Sequence, residues 1–309
     1  MGERVPSRSL SMSPPPPPPP PSLPYEALFT ESFDDILEPL PSAEDIEEST
    51  EVIRAFSARC TAYVGESFVA KYGSEVKPIE GRNMRFARKH LDPDVVTIPR
   101  VLAIYQRPIS PPCHITYIVM ERIAGDTFEN KWDEMVDAQK QVVSSQLRRA
   151  FRCLRNIPHP GFYGSIDKSG PRDDLFLTDT PIPMINGPFD SVDELVEAMI
   201  ARYARDVGSA VQRKADFYRR VLPQALKGDN APVFTHGDFQ RKNVIILPDG
   251  SIALVDWAES GRYPSYWEYA TAIFACGSWF DNWHAFLGRI LDEYPTEFAW
   301  MHMRIEMWG

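Results

Sequence analysis

The chain has 309 residues, of which 43% are hydrophobic and 25% charged, a composition typical of a soluble globular protein large enough for two packed lobes. Its formal net charge of −10 argues against nucleic acid or an anionic membrane surface as a partner. The chain has no apolar run near the ~20 residues that span a bilayer, and no apolar signal segment opens it. Its four cysteines are scattered without metal-ligand spacing, so we expect free thiols and a cytoplasmic protein.

The first part of the chain, residues 1–41, is expected to be a disordered proline-rich tail. Residues 14–21 are all proline, which cannot donate a backbone hydrogen bond and favours an extended polyproline II conformation. Such a tail is either a spacer or a ligand for a domain of the SH3, WW or profilin type. Composition sets no partner, and the spacer is the simpler interpretation.

Residues 42–121 have the pattern of a small β-rich lobe. Two short apolar runs flank Gly65-Glu66-Ser67, which predicts a hairpin. A helix is expected from about Val76 or Pro78 to His90. The strands predicted in this lobe cover Thr61–Val64, Phe68–Lys71, Ile98–Tyr105 and Ile115–Glu121, the last mostly apolar and therefore buried.

Residues 122–309 have a predominantly helical pattern, interrupted by a loop-rich insertion over residues 161–187. Ser191 and Glu194 form a capping-box signature that opens a helix through about Tyr203. The other predicted helices are Val136–Leu154, Val211–Leu226, Tyr269–Phe280 and Trp283–Asp292. In the first of these, the spacing predicts an inner face made of Val142, Leu147, Ala150 and Leu154.

The most informative stretch lies between Phe234 and Trp257. Its two apolar runs, Val244–Leu247 and Ile252–Val255, flank a Pro-Asp-Gly-Ser turn, which predicts a β-hairpin. The hairpin places Asn243 before its first strand and Asp256 after its second, so both side chains emerge at the same end.

The loop His236-Gly237-Asp238 precedes this hairpin and is expected beside the same open end. Two carboxylates and a carboxamide would then meet there, from Asp238, Asp256 and Asn243. Such a group could take a proton from a hydroxyl and hold a hard divalent cation through oxygen. A lone His-Gly-Asp is usually just a turn, but the whole ordered set is harder to obtain by chance.

This spacing resembles the catalytic loop and metal aspartate of protein kinases, and more closely the aminoglycoside phosphotransferase and choline kinase branch of that fold. Kinases carry His-Arg-Asp, four residues, Asn, and then Asp-Phe-Gly beyond a hairpin. Here His236-Gly237-Asp238 precedes Asn243 by the same interval, and Trp257 and Ala258 follow the later aspartate. Both differences are usual in the small-molecule branch and argue against a protein kinase.

The resemblance implies an α+β, protein-kinase-like fold with two lobes. The small β-rich N lobe, residues 42–121, would bind the nucleotide, and the larger helical C lobe, residues 122–309, would carry catalysis and bind substrate. It also implies a role for each matching C-lobe residue. Asp238 resembles the catalytic base, His236 the residue that braces its loop, and Asn243 and Asp256 the Mg²⁺ ligands.

The same resemblance assigns the nucleotide-binding residues of the N lobe. Phe68-Val-Ala-Lys71 resembles the kinase strand whose lysine binds the ATP phosphates, although a strand lysine is usually a solvated edge residue. Glu80 resembles the helical glutamate that pairs with that lysine. The run through Met120, Glu121 and Ile123 resembles the hinge whose backbone groups face adenine.

These assignments imply ATP-dependent transfer of a phosphoryl group to a small-molecule hydroxyl, with ATP and Mg²⁺ as cofactors. The proline-rich tail and one departure from the kinase pattern favour a second hypothesis, a non-catalytic binding or scaffold protein on the same fold. Kinases cover ATP with a glycine-rich loop, whereas the corresponding Ser57-Ala-Arg-Cys60 contains no glycine. A metal-dependent hydrolase is a third reading, which leaves Lys71 and the hinge-like strand unexplained.

An aromatic stretch after the metal aspartate resembles a fungal-type subset of the aminoglycoside phosphotransferase family. Its side chains could stack on a cationic substrate or pack in the core beneath the site. Core packing is the favoured interpretation, because aromatic side chains commonly dominate core energetics. The residues concerned are Trp257, Tyr263, Tyr266, Trp267 and Tyr269.

Overall fold

The structure is a computed structural model that describes residues 25–110, 112–207, 212–229, 231–277, 279 and 281–302. It has the expected α+β architecture, with an antiparallel sheet in a small N lobe and mostly helices in a larger C lobe. The proline run at residues 14–21 lies outside the described residues, so its predicted conformation and partner stay predictions.

A six-stranded antiparallel sheet forms the N lobe, in the spatial order β1-β5-β6-β4-β3-β2. Its strands are β1 (Glu26–Thr30), β2 (Val52–Phe56), β3 (Arg59–Val64), β4 (Phe68–Gly73), β5 (Val101–Ser110) and β6 (Cys113–Glu121). In register, Lys71 lies opposite Thr61 on one side and Ile118 on the other. Because directly opposed side chains share a face, these three point to the same side of the sheet.

Two helices pack on opposite faces of this sheet. Helix α2 (Pro78–His90) covers the face of Lys71, and α1 (Ala43–Glu47) packs on the other face with Tyr117. Helix α2 begins at a proline, carries Glu80 in its first turn and has three basic residues in its last turn. Each of these features favours a helix with that polarity, and α2 has the bounds predicted from the sequence.

The N lobe begins earlier in the chain than predicted, because part of the expected disordered tail is ordered. Residues 26–30 form β1, which pairs with β5 at the edge of the sheet. Behind this strand, Phe33, Ile36 and Leu40 pack against the N-lobe core, and Asp35 accepts two hydrogen bonds from Arg100. The boundary predicted at residue 41 is therefore wrong. The sequence pattern alone could not show that this segment pairs with the edge of the sheet.

The C lobe contains short strands and most of the helices. The strands are β7 (Asp126–Thr127), β8 (Pro232–Thr235), β9 (Val244–Ile246), β10 (Ile252–Leu254) and β11 (Gly261–Pro264). The helices are α3 (Phe128–Lys131), α4 (Asp137–Arg155), α5 (Pro183–Asn186), α6 (Val192–Val207), α7 (Gln212–Ala225), α8 (Trp267–Phe274), α9 (Trp283–Ile290) and α10 (Pro295–His302). The predicted hairpin is formed by β9 and β10, and α10 was not predicted.

The long helix α4 matches its prediction except on one face. Leu147, Ala150 and Leu154 are buried as expected, but Val142 is 59% exposed. Position 142 lies five residues before Leu147, which turns its side chain away from the buried stripe at 3.6 residues per turn. Val143 takes its place in the core.

One hydrophobic core continues from the N lobe into the C lobe and so fixes how the lobes meet. It joins Ile118 and Met84 of the N lobe to Phe151, Trp257 and further C-lobe residues. Because this core lies directly behind the cleft between the lobes, the residues that face the cleft are held on packed elements. Within the described ranges, the longest apolar helices all fall short of what a membrane span requires.

Candidate active site

The loop after β8 carries His236, Gly237 and Asp238 into the cleft. Strand β8 pairs with β11, which anchors both the loop and the segment after Asp256. Gly237 adopts φ +88°, and a Cβ atom there would lie 2.5 Å from the carbonyl oxygen of Glu259. The loop therefore needs glycine at this position, both for the backbone conformation and for the close approach.

His236 is fully buried, and both of its ring nitrogens contact the backbone around the site. Its Nε2 lies 3.0 Å from the carbonyl oxygen of Val255, and its Nδ1 accepts from the Asp238 N–H at 3.3 Å. A carbonyl beside Nε2 places the proton on that nitrogen. The ring thus joins the Asp238 loop to the strand end before Asp256, and its contacts are those of a bracing residue.

Asp238 and Asn243 are fixed to each other at the end of the hairpin. The amide nitrogen of Asn243 donates to the Asp238 backbone carbonyl at 2.8 Å and to Asp238 Oδ2 at 2.9 Å. Gln240 donates to the other carboxylate oxygen, and the Lys242 ammonium lies 3.6 Å from Oδ2. These contacts orient the carboxylate, while 28% of the Asp238 side chain stays exposed to the cleft.

Lys71 joins the two lobes through a pair of carboxylates. Its Nζ donates to Glu80 Oε1 at 2.8 Å within the N lobe and to Asp256 Oδ1 at 2.7 Å across the cleft. Asp256 has φ +64°, a backbone conformation rare for residues other than glycine. Such a strained residue is held by its surroundings, here by the hairpin and by the ion pair with Lys71.

The electrostatics of the Lys71–Asp256 pair favour the charged forms of both side chains. Burial lowers the pKa of Lys71, but the adjacent Glu80 and Asp256 carboxylates outweigh it and hold the pKa above its usual range. Burial raises the pKa of Asp256, yet the Lys71 ammonium reverses that effect and leaves the pKa below its usual value. Both partners of the contact between the lobes are therefore ionised at neutral pH.

The hinge residues lie where the β6 strand leaves the N lobe. Met120 is buried in the core shared by the lobes, and the N–H groups of Glu121 and Arg122 donate to Arg100 and Ser67 inside the N lobe. Those two N–H groups are therefore directed away from the cleft. Of the hinge N–H groups predicted to face adenine, that of Ile123 is therefore the one that remains for the contact. The role of the hinge stays a prediction.

Two buried residues that the sequence did not indicate hold the site together. Glu268, in the first turn of α8, accepts from the N–H groups of His236 at 2.6 Å and Gly237 at 3.2 Å. Asn83 of α2 donates to the carbonyl oxygens of Trp257 at 3.0 Å and Ser260 at 3.1 Å. Their only sequence signal is a polar residue in an otherwise apolar helical stripe, which rarely identifies its partner.

The aromatic stretch after Asp256 belongs to the core. All of its five aromatic side chains are at least 94% buried, and Tyr263 stacks on Trp267 with ring centroids 5.0 Å apart. Tyr263 also accepts from the N–H groups of Arg172 and Asp173 through its hydroxyl oxygen. These residues do not form a stacking surface for a substrate; they attach the 161–187 insertion to the active-site loops.

A cluster of acidic side chains lies beside Asp238 on the C-lobe side of the cleft. Burial, and after it the nearby carboxylates of Asp173, Asp174 and Asp238 against the opposing charge of Arg172, raise the pKa of Glu259 to about 8. The insertion therefore brings negative groups from a distant part of the sequence to the edge of the site. An added positive charge there would relieve their repulsion.

The oxygen ligands available in the cleft fit a Mg²⁺ ion that arrives with a nucleotide. Asn243 uses its amide nitrogen on Asp238, which leaves its carbonyl oxygen for a cation, and Asp256 keeps Oδ2 beyond its Lys71 contact. Among the described residues, no group of three or more His, Cys, Asp or Glu side chains could hold a metal alone. Mg²⁺ commonly uses one or two protein oxygens together with substrate phosphates and water.

The fold is that of the protein-kinase-like class, here with Lys71 of one lobe hydrogen-bonded to Asp256 of the other. A model of the phosphotransferase enzyme family matches residues 61–304. The chain therefore belongs to the phosphotransferase enzyme family. The search of curated proteins found no match.

Solved aminoglycoside phosphotransferases share this fold. ADP-bound APH(2'')-Ib is 15% identical, with 87% of this chain and 91% of that chain covered and a TM-score of 0.55. A thermostable APH(4)-Ia mutant in ternary complex with AMP-PNP and hygromycin B is 19% identical, with 84% and 81% covered and a TM-score of 0.51. APH(2'')-IIia with GDP and kanamycin is 12% identical, with 84% of each chain covered and a TM-score of 0.51. At these identities the likeness concerns the fold.

Proposed function

We propose that the protein is an ATP-dependent phosphotransferase that moves the γ-phosphoryl group to a hydroxyl of a small molecule. The observation that carries this proposal is the position of Lys71. Its ammonium contacts both Glu80 in its own lobe and Asp256 across the cleft. An ammonium held in this way is fixed where phosphate oxygens would arrive. Phosphoryl transfer depends mainly on such positioning and on charge, because its transition state is loose and already anionic.

Asp238 is the proposed catalytic base. Its carboxylate is oriented by Asn243 and Gln240 and is partly exposed, so an acceptor hydroxyl can approach it. Asp238 would accept the hydroxyl proton as the oxygen attacks the γ-phosphorus of ATP and the bond from that phosphorus to the bridging oxygen of ADP breaks, so that ADP leaves. His236 would act through the loop as a positioning residue, because its ring nitrogens are already used.

Asn243 and Asp256 are the proposed protein ligands of Mg²⁺, which when bound would offset the charge of the phosphate oxygens. Lys71 and Glu80 would position the phosphates. The hinge would receive adenine, with Ile123 supplying the amide contact and Met120 and Glu121 lying beside it.

For the acceptor, we propose a compound that carries both a hydroxyl and an amine. The support is the acidic group around Asp238, whose repulsion a cationic amine would relieve. The complexes of related folds with hygromycin B and kanamycin agree with this choice. The overall charge of −10 also favours approach of a cation.

The first experiment measures the thermal shift produced by ATP, with and without Mg²⁺. We expect a shift that depends on Mg²⁺ and is lost in Asp256→Asn, with Asp249→Asn in the exposed hairpin turn as the matched control. Mg²⁺-independent binding, or none, would favour the non-catalytic scaffold. A second experiment offers ATP, Mg²⁺ and paired amino and neutral hydroxyl compounds, and detects the mass gain of one phosphate. Transfer to neutral compounds alone would contradict the amine preference and leave the reaction class standing.

A further inference from the structure

The turn between β2 and β3 is held down onto the end of the strand that carries Lys71. Gly73, at the end of β4, has φ +143°, and a Cβ atom there would lie 2.1 Å from the carbonyl oxygen of Ala58. The N–H of Glu75 donates to the same carbonyl at 3.2 Å. The turn thus lies directly against β4, two residues beyond Lys71, although it contains no glycine of its own.

The strand register determines which side chain of this turn faces the cleft. Cys60 lies opposite Tyr72, and Thr61 lies opposite Lys71. Side chains alternate along a strand, so Arg59 points to the same face as Thr61 and Lys71. Arg59 is therefore placed on the cleft face, just past the end of the Lys71 strand.

Among the described residues, an aromatic ring and not a carboxylate holds the guanidinium of Arg59 in place. Its guanidinium lies 4.8 Å from the ring centroid of Phe56, the residue opposite it in the turn, and both side chains are exposed. Within the described ranges Arg59 takes part in none of the salt bridges. Its charge nevertheless reaches the site: burial raises the pKa of Glu80 most, and Arg59 is among the positive groups that oppose this rise.

The charge balance of the cleft favours another cation beside a bound nucleotide. Two ammonium groups, those of Lys71 and Lys242, stand against the three carboxylates of Glu80, Asp256 and Asp238. ATP remains negatively charged with Mg²⁺ bound, so its terminal phosphates would enter a site that already has net negative charge. A single guanidinium group can donate two parallel hydrogen bonds to a phosphate, which suits Arg for this task.

We propose that Arg59 binds the terminal phosphates of ATP, so that one side chain does what glycine amides do in other kinases. Phe56 holds the guanidinium over the cleft by cation–π contact, and the Ala58–Gly73 contact fixes the turn. This inference rests on the proposed function and goes further, because it assigns a phosphate-binding residue to the turn whose lack of glycine favoured the scaffold hypothesis.

The test compares binding of Mg·ATP and of AMP by titration calorimetry to the wild type, Arg59→Ala and Arg59→Lys. Arg152→Ala removes the same charge from an exposed site on α4 and serves as the matched control. We expect Arg59→Ala to weaken Mg·ATP binding by about tenfold while AMP binding changes less than about twofold, since AMP lacks the terminal phosphates. Arg59→Lys restores part of the affinity, and Arg152→Ala binds both ligands normally.

The outcomes separate this inference from the proposed function. Normal binding of Mg·ATP to Arg59→Ala, or an equal loss for ATP and AMP, would overturn the phosphate role of Arg59 alone. A wild type that binds neither nucleotide would overturn the proposed function and this inference together. A loss of affinity for Mg·ATP without a comparable loss for AMP supports both the phosphate role of Arg59 and the proposed function.

Discussion

Lys71 Nζ lies 2.7 Å from Asp256 Oδ1, although 185 positions separate the two residues in the chain. The contact joins the central sheet of the N lobe to the end of the C-lobe hairpin. Glu80 fixes the same ammonium from behind, so the lysine has one partner in each lobe. The cleft between them is therefore built from both lobes.

Replacing Asp238 tests the chemical step. We expect Asp238→Ala to lower turnover by about 10²–10⁴, since general-base contributions are of that size, while Mg·ATP binding is retained. Asp133→Asn, an exposed carboxylate before α4, is the control and should retain full turnover. Unchanged turnover of purified Asp238→Ala would remove this residue from the mechanism.

Replacing Lys71 tests the buried ion pair. Lys71→Met leaves Glu80, whose side chain is 4% exposed, without its cation, and should lower the free energy of unfolding by about 3 kcal/mol. The double variant Lys71→Met, Glu80→Gln should recover part of this loss, because the buried charge is then gone. Urea unfolding measures the free energy of unfolding of both variants. A double variant no more stable than Lys71→Met would show that Glu80 is not the source of the cost.

Replacing Glu268 tests the support of the catalytic loop. Glu268→Ala leaves the N–H groups of His236 and Gly237 without an acceptor, so we expect about 3 kcal/mol of lost stability and a lower turnover. Glu268→Gln keeps one acceptor oxygen and should lose about half as much. Thr271→Ala on the same helix, measured in parallel by urea unfolding, should cost under about 1 kcal/mol. A loss in Glu268→Ala no larger than this control would contradict the support role.

The raised pKa of Glu259 predicts a pH dependence of stability. Burial first, and then Asp173, Asp174 and Asp238 against Arg172, raise this pKa from 4.5 to about 8. Between these values the folded protein binds a proton that the unfolded chain releases. The free energy of unfolding should therefore be highest below pH 4.5 as far as this group is concerned, and fall by a few kcal/mol towards pH 8, at ~1.4 kcal/mol per unit.

Glu259→Gln cannot ionise and should lack this part of the decline, so it should be more stable than the wild type at pH 8. Glu129→Gln, an exposed carboxylate on α3, is the control and should follow the wild-type profile. Urea unfolding at intervals from pH 5 to about pH 8.5 supplies the profiles. Parallel profiles for the wild type and Glu259→Gln would show that Glu259 is already ionised in the folded protein.

The sequence predicted the hairpin because its signal is local, and the family resemblance carried by the same stretch implied the fold class. His236, Asp238, Asn243 and Asp256 lie within one short stretch, and the turn between the two apolar runs fixes where its ends point. Helix α2 was predicted equally well, from the helical spacing of Glu80, Met84 and Ala87. The tail boundary was wrong because it depended on a remote partner, since residues 26–30 form a strand only by pairing with β5. The error at Val142 was one of spacing, because its position on α4 lies off the buried stripe.

Local pattern thus predicted the β-rich and helical regions, the hairpin and the order of polar residues around it, since turns and helix ends are determined by neighbouring residues. Packing between distant segments fixed the rest: the bond from Lys71 to Asp256, the support from Glu268, and the place of β1 at the sheet edge. It also put Arg59 on the cleft face, because a strand's outward and inward faces exchange with a register shift of one residue. Strand register and the contacts between the lobes depend on residues far apart in the chain, so the spacing of residues within a single segment does not predict them.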